Sequence, residues 1–414
     1  MPAYSGTRQT IKVMHLRKII KTGRAPLRGA LLVAVMLLSA CASSPVVRLE
    51  PPPPLEYPGT PVYVEDVDVL EVTPEMDAFL EKYVLPYNNP QTRLHLLSTA
   101  VSNSAVLGFD YDTSQTYTAA EAFRARSGNC IAFANMMVAL ARRAGLKARY
   151  QEIIRNPVWT SVDDTVLLIK HVNVVIESNK YSYVLDASDL EISQRAQRRL
   201  VSDNYAKALY LNNLGAEALF ANDLPLAYAY QSRAIETDPQ VTDSWVNMSV
   251  VVGRNGQMDD AVSVLKTALG IDSAEYSAMN NLYEIYVEQE NFAAAEALKS
   301  RVDRYRKNNP YFLLQLSYEA LELNQYEQAI GLLKRAISKK DDDHLLHYAM
   351  AKTLYLSGEE AAARDSMQRA RLLAPKDIIP YYQRPLGELI AEEQALALLE
   401  EQEDQPKCQN PHLA

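Results

Sequence analysis

Three residues in this chain could make an activated thiol. Cys130 follows the turn Arg126-Ser127-Gly128-Asn129 and opens an apolar run from Ile131 to Leu140. His171 begins the strand-like run His171-Val172-Asn173-Val174-Val175-Ile176, and Asp186 ends Tyr183-Val184-Leu185-Asp186. A thiol is a weak nucleophile until it loses its proton, and a nearby imidazole can take it. A carboxylate on the far ring nitrogen fixes the tautomer and steadies the imidazolium. Each residue also has a plainer reading. Cysteine is among the most buried residue types, a histidine on an apolar strand can be a core residue, and an aspartate can cap a turn. Asp163 and Asp164 are rival orienting acids, although their polar surroundings read as a solvated loop. Asn129 could place an amide near the thiol or serve the turn.

These residues need particular elements behind them. A glycine turn and then a helix starting at Cys130 would put the thiol at a helix N-terminus, where the dipole favours the thiolate. His171 and Asp186 need two neighbouring antiparallel strands, and the polar turn Ser178-Asn179-Lys180 lies between them. Upstream, Pro74 to Val84 and Leu94 to Val101 have helical apolar spacing, and Thr116 to Phe123 suits a further short helix. His95 has no metal-ligating neighbours at useful spacing. No phosphate loop or dinucleotide motif is present.

Gly128-Asn129-Cys130, the helix after it, Ala141-Arg142-Arg143-Ala144-Gly145-Leu146-Lys147-Ala148-Arg149-Tyr150, and then His171 and Asp186 resemble the transglutaminase-like cysteine enzyme superfamily. The resemblance implies a papain-like α+β domain, with Cys130 as nucleophile, His171 as general base and Asp186 as orienting acid. No cofactor and no metal are expected. Many members carry aromatic residues just after the histidine. Here the chain reads Val172-Asn173-Val174, so substrate preference does not carry over.

The start of the chain speaks to place. Residues 1–40 carry seven Lys/Arg and no acidic residue, and they contain the apolar run Ala30 to Leu38. That run is shorter than the roughly 20 residues a bilayer span needs. A basic region, a short apolar core and small residues suit a secretory signal. Leu38-Ser39-Ala40-Cys41 resembles a bacterial lipobox, which implies cleavage before Cys41 and lipid on Cys41. Ala42 after it resembles lipoproteins sent to the outer membrane, facing the periplasm. An ordinary cleaved signal with a free Cys41 is the alternative. Translation could begin at Met1 or at Met14. Pro51-Pro52-Pro53-Pro54, Pro58 and Pro61 then read as an extended, semi-rigid tether that stands off the membrane.

The formal charge is −9, and it becomes −16 once residues 1–40 are set aside. Such an acidic chain argues against nucleic acid as a partner. With three cysteines, one in the lipobox-like motif, one in the triad and Cys408 in a polar tail, no disulfide framework is expected.

From about residue 205 the chain repeats every 34 residues. Alanine recurs at Ala227, Ala261, Ala295, Ala329 and Ala363, and a second register reads Ala234, Ala268, Val302, Ala336 and Ala370. Turn residues recur at Asn222-Asp223, Gly256-Gln257, Glu290-Asn291, Asn324-Gln325 and Gly358-Glu359. The period and its small residues resemble tetratricopeptide repeats. That implies an all-α superhelix with a concave face for a protein or peptide ligand. Tyr210, Asn213, Asn247, Asn280, Asn281 and Tyr311 are the residues expected to line it.

The expected order is therefore a lipoprotein signal at 1–40, the tether at 41–66 and the catalytic domain at 67–200. Five repeats at 205–377 and a C-terminal helix and tail at 378–414 follow. Two functions compete. One is a membrane-anchored periplasmic enzyme that acts on amide bonds through a Cys130 thioester, as a protease or amidase if water attacks and as an acyltransferase if an amine does. The other is a non-catalytic outer-membrane adaptor built on the repeats.

Overall fold

The computed structural model describes residues 15–20, 49–57, 59–162, 165–177, 181–188, 197–374 and 378–392, with backbone alone over 15–20, 154–162, 165–170 and 181. Cys41, Cys408, Asp163, Asp164, the turn at 178–180 and the tail beyond 392 lie outside them. The chain forms two compact units, divided at Val302–Asp303, with residues 159–168 assigned to the second. Among the described residues no helix is long and apolar enough to cross a membrane.

The first unit begins with the backbone of β1 (His15–Ile20), paired antiparallel with β6 (Tyr181–Asp186). The leader reading would remove this segment. A chain cut before Cys41 lacks β1 and leaves β6 as a sheet edge, so the strand and the cleaved leader are alternatives.

Helix α1 (Pro74–Tyr83) starts with proline behind the cap Thr73, and α2 (Pro90–Ser102) starts with proline behind Asn89. Strand β2 (Asp110–Tyr111) pairs in parallel with β3 (Ser127–Gly128). Between them lies α3 (Ala119–Ala125), opened by a capping box of Thr118 and Glu121. Helix α4 (Cys130–Arg143) is buried along nearly its whole length. Strands β4 (Lys147–Val162), β5 (Thr165–Glu177), β6 and β7 (Gln197–Val201) complete a sheet of order β1-β6-β5-β4-β7. The expected adjacency of β5 and β6 holds: they pair antiparallel with Val174 opposite Leu185.

The repeats follow as helix pairs. In the first unit they are α5 (Asp203–Phe220) with α6 (Leu224–Thr237), α7 (Thr242–Arg254) with α8 (Met258–Ile271), and α9 (Tyr276–Glu288) with α10 (Phe292–Arg306), whose last residues pass into the second. The second unit has α11 (Pro310–Glu322) with α12 (Tyr326–Ile337), α13 (His344–Leu356) with α14 (Glu360–Leu373), and the short α15 (Ile379–Tyr382). Residues 386–392 are helical too. All five alanines of the first register and all five residues of the second are buried. Small side chains at these positions, alanine at nine and valine at 302, let the paired helices approach each other.

One residue per turn has positive φ, again every 34 residues: Asn222, Gly256, Glu290, Asn324 and Gly358. Glycine and asparagine tolerate this left-handed backbone, whereas other residues lose roughly 1–2 kcal/mol there. Glu290 (φ 56) is the exception. Glu290→Gly is therefore expected to stabilise the chain by up to about 1 kcal/mol, because the greater unfolded-state freedom of glycine offsets part of the gain. Thermal unfolding checks this, and a lower melting temperature would contradict it.

The tether departs from its expected role. Residues 53–56 lie against α6–α8 and hydrogen-bond to them. Further along, Asp66 pairs with Lys207 and Arg233 of the first repeat.

Candidate active site

Cys130 is delivered by backbone geometry. Gly128 has φ 153, and a Cβ there would sit 2.6 Å from the Ala132 Cβ. Only glycine lets the turn close on the first turn of α4. Asn129 caps that helix: its Oδ1 accepts the Ala132 N–H at 3.1 Å, and its Nδ2 donates to Thr116 Oγ1 at 2.8 Å. Of the two roles open to Asn129, the structure assigns the cap. The cap leaves Cys130 at the positive end of the helix dipole, half-buried and therefore reachable.

The strand register brings the other two residues together. His171 Nε2 lies 2.7 Å from Asp186 Oδ2, and both side chains are buried. Asp186 is held from several sides. Asn173 Nδ2 donates to Oδ2 at 3.2 Å, and the Ser188 backbone N–H and hydroxyl donate to Oδ1 at 3.0 and 2.8 Å. Burial alone would raise the Asp186 pKa, but the His171 contact and the Ser188 donors overcome it and hold the carboxyl below its ordinary value. Burial likewise pulls the His171 imidazole down, yet Asp186 and the neighbouring Cys130 outweigh it and raise the pKa to about 10. The ring therefore keeps its proton at neutral pH. Its Nδ1 is buried with no hydrogen-bond partner, which leaves that atom open to a thiol.

A fourth group joins them. Tyr111 sits on β2, opposite Gly128 on β3. Burial, the charges of Cys130 and Asp186 and hydrogen bonding to Cys130 raise its phenol well above the ordinary value. A phenol held in this direction keeps its proton at neutral pH. Sequence reasoning missed Tyr111, because a two-residue parallel ladder has no period to read. It missed Asn173 and Ser188 as well, although both left a signal. Asn173 lies two residues from His171 on one strand and so shares its face. Ser188 lies two residues beyond Asp186, at the reach of an Asx turn.

A polar cleft of about 570 Å³ borders the β2–β3 ladder and is lined by residues including Asp110, Asp112, Gln115 and Arg126. It is lined by none of the triad and flanks strand β2, which carries Tyr111. Among the described residues no group of His, Cys, Asp or Glu could hold a metal ion, and His95 is exposed.

The model of the transglutaminase-like superfamily matches residues 78–183. The fold is a transglutaminase-like α+β domain followed by an all-α array of tetratricopeptide-type repeats. A BBSome complex member BBS4 homolog from Drosophila melanogaster is 26% identical over 124 residues, which are 30% of this chain and 26% of that relative. The chain therefore spans about a quarter of the length of this relative. A solved structure of Pseudomonas aeruginosa PilF is 19% identical, covers 42% of this chain and 79% of its own, and has a TM-score of 0.31. YrrB, described as a repeat protein with an unusual peptide-binding site, is 15% identical over 42% of this chain and 91% of its own, with a TM-score of 0.25.

The residues expected to line a groove divide. Tyr210 and Tyr311 are buried core residues and offer it no surface. Tyr210 belongs to the core around α4, and Tyr311 donates its hydroxyl to Asp343. Their aromatic bulk fills the space between helices. Asn213, Asn247, Asn280 and Asn281 are half-buried on first helices, and Asn247 Nδ2 donates to Asn212 Oδ1 at 2.9 Å.

Proposed function

We propose that this protein is a cysteine enzyme that breaks amide bonds through a thioester on Cys130. The observation that carries the reading is the buried His171–Asp186 pair at 2.7 Å, with Nδ1 of the ring left for a thiol at a capped helix start. The Cys130 thiolate attacks the amide carbonyl, and its carbon–oxygen double bond opens to an oxyanion. The Tyr111 hydroxyl and the first-turn amides of α4 are the donors available to that charge. The intermediate collapses to a thioester as the carbon–nitrogen bond breaks, and the leaving amine takes the proton from His171. Neutral His171 then draws a proton from water, whose oxygen attacks the thioester; the carbon–sulfur bond breaks, the acid leaves, and the Cys130 thiolate beside protonated His171 is restored.

Incubation with a peptide library distinguishes the outcomes. The expected result is new peptide termini with the parent protein and none with Cys130→Ala. Incorporation of a supplied primary amine, without new termini, would make the enzyme an acyltransferase. Neither product would leave the adaptor reading in front.

The repeats would bring a protein or peptide partner to this domain. Lipid on Cys41 would hold the protein at the outer membrane, facing the periplasm; the motif Leu38-Ser39-Ala40-Cys41 supports this. Cys41→Ala is then expected to release the protein from membranes or to block its processing. A variant that fractionates and migrates like the parent would defeat the lipid anchor.

A further inference from the structure

The proline-rich segment is bound through its backbone. Tyr228 on α6 donates its hydroxyl to the Pro53 carbonyl at 2.9 Å. Gln257, in the turn before α8, uses both ends of its amide: Nε2 donates to the Pro54 carbonyl at 3.0 Å, and Oε1 accepts the Glu56 N–H at 2.9 Å. Asn255 Nδ2 donates to the Glu56 carbonyl at 2.9 Å. Three carbonyls and one N–H are thus satisfied over four residues.

The receiving side chains are also bonded to one another. Asn255 Nδ2 also donates to Gln257 Oε1 at 2.8 Å, and Gln257 Nε2 to Asp260 Oδ2 at 2.7 Å. Each contact demands the same orientation of the Gln257 amide. Leu55 is the side chain that anchors the segment, packed on the cluster of Leu219, Ala227 and Val251. Pro54 and Glu56 are exposed.

This chemistry suits a proline-rich ligand. Proline has no N–H and leaves its carbonyls unpaired, and the site offers mostly donors. The extended polyproline form is preorganised, so binding orders little additional chain. The face lies on α6 and the α7–α8 turn, apart from the first-helix residues expected to line the groove.

We propose that Tyr228, Asn255 and Gln257 form a main-chain-reading site for an extended, proline-rich segment of another protein carrying a leucine-sized anchor, and that residues 53–56 occupy this site in the resting chain. The site depends on neither the catalytic reading nor the first-helix groove. A segment tethered in cis competes at a high effective concentration, so a partner must displace it.

The test uses the full chain with residues 51–57 replaced by Gly and Ser, and a fluorescent peptide of residues 49–60 as probe. The peptide is expected to bind the replaced chain and to bind the parent at least about tenfold more weakly, because the parent site is already filled. Gln257→Ala in the replaced chain should weaken binding by about tenfold or more, a loss comparable to that of two hydrogen bonds. A Leu55→Ser peptide should also bind more weakly, and a Glu56→Gln peptide should bind as before. Circular dichroism confirms that each variant remains helical. Absence of binding to a folded replaced chain would overturn the proposal. So would equal affinity for parent and replaced chain, or binding indifferent to Gln257→Ala in a folded variant.

Discussion

His171→Ala is expected to abolish turnover and to destabilise the fold together. The catalytic loss should reach several orders of magnitude, because residues of a triad act as a unit. The structural loss follows from what remains. Asp186 keeps Asn173 and Ser188 but loses the cation at 2.7 Å, inside a buried site. Removing one partner of a buried pair costs about 3–5 kcal/mol. The cost depends on pH, and its sign is determined. The His171 pKa is raised to about 10, so its stabilising contribution is complete below its unfolded value and fades as pH rises through about 10. The Asp186 pKa is lowered, so its contribution is present above its unfolded value and fades as pH falls. The gap in melting temperature between parent and variant should therefore be widest between about pH 4 and 6.5 and should narrow toward pH 10. A gap that stays constant across that range would argue against an imidazolium–carboxylate pair. Asp186→Asn and the double variant complete a cycle, in which additive losses would contradict the pair.

The second large effect concerns where the catalytic domain ends. The expected boundary lies near residue 200, between separate catalytic and repeat domains. The structure continues the core of the transglutaminase-like domain into the first repeat: Tyr205, Ala206, Ala208, Leu209, Tyr210 and Leu211 of α5 join the cluster that contains Phe133, Met137 and Leu140 of α4. Polar contacts reinforce this. Arg142 makes a two-point ion pair with Asp203, and the Tyr205 hydroxyl donates to buried Glu152, which also pairs with Arg199. A chain ending at Ser202 loses the α5 side chains, the Arg142–Asp203 pair and the Tyr205 donor, and keeps only the Arg199–Glu152 pair. Large apolar side chains contribute roughly 1.5–3 kcal/mol each when fully buried, and a domain is stable by only about 5–15 kcal/mol. The shortened chain should therefore show no cooperative unfolding and should aggregate. A chain ending at Ile271 keeps α5 to α8 and should retain a cooperative transition. A soluble, cooperatively folding chain that ends at Ser202 would show that α5 is dispensable.

The sequence by itself determined the local chemistry and the periodic elements. The turn Gly128-Asn129 before an apolar run foretold the thiol at a helix start, because the signals for a turn and for a buried helix are local. Alanine recurring every 34 residues foretold the helix pairs, because close approach needs a small side chain at every contact. His171 and Asp186 were legible as two strands joined by a polar turn. What depends on distant segments meeting was not legible. Tyr111 is brought to the Gly128 turn before Cys130 by a two-residue ladder, a pairing too short to leave a pattern. Tyr210 and Tyr311 look like groove residues in a repeat, and burial in the core depends on the neighbours that the fold brings. The proline-rich segment reads as a free tether because proline excludes helix and sheet, yet its unpaired carbonyls find donors about 200 residues away. Local propensity is written residue by residue, whereas the partner of a carbonyl, a phenol or an apolar face is decided only when the chain closes on itself.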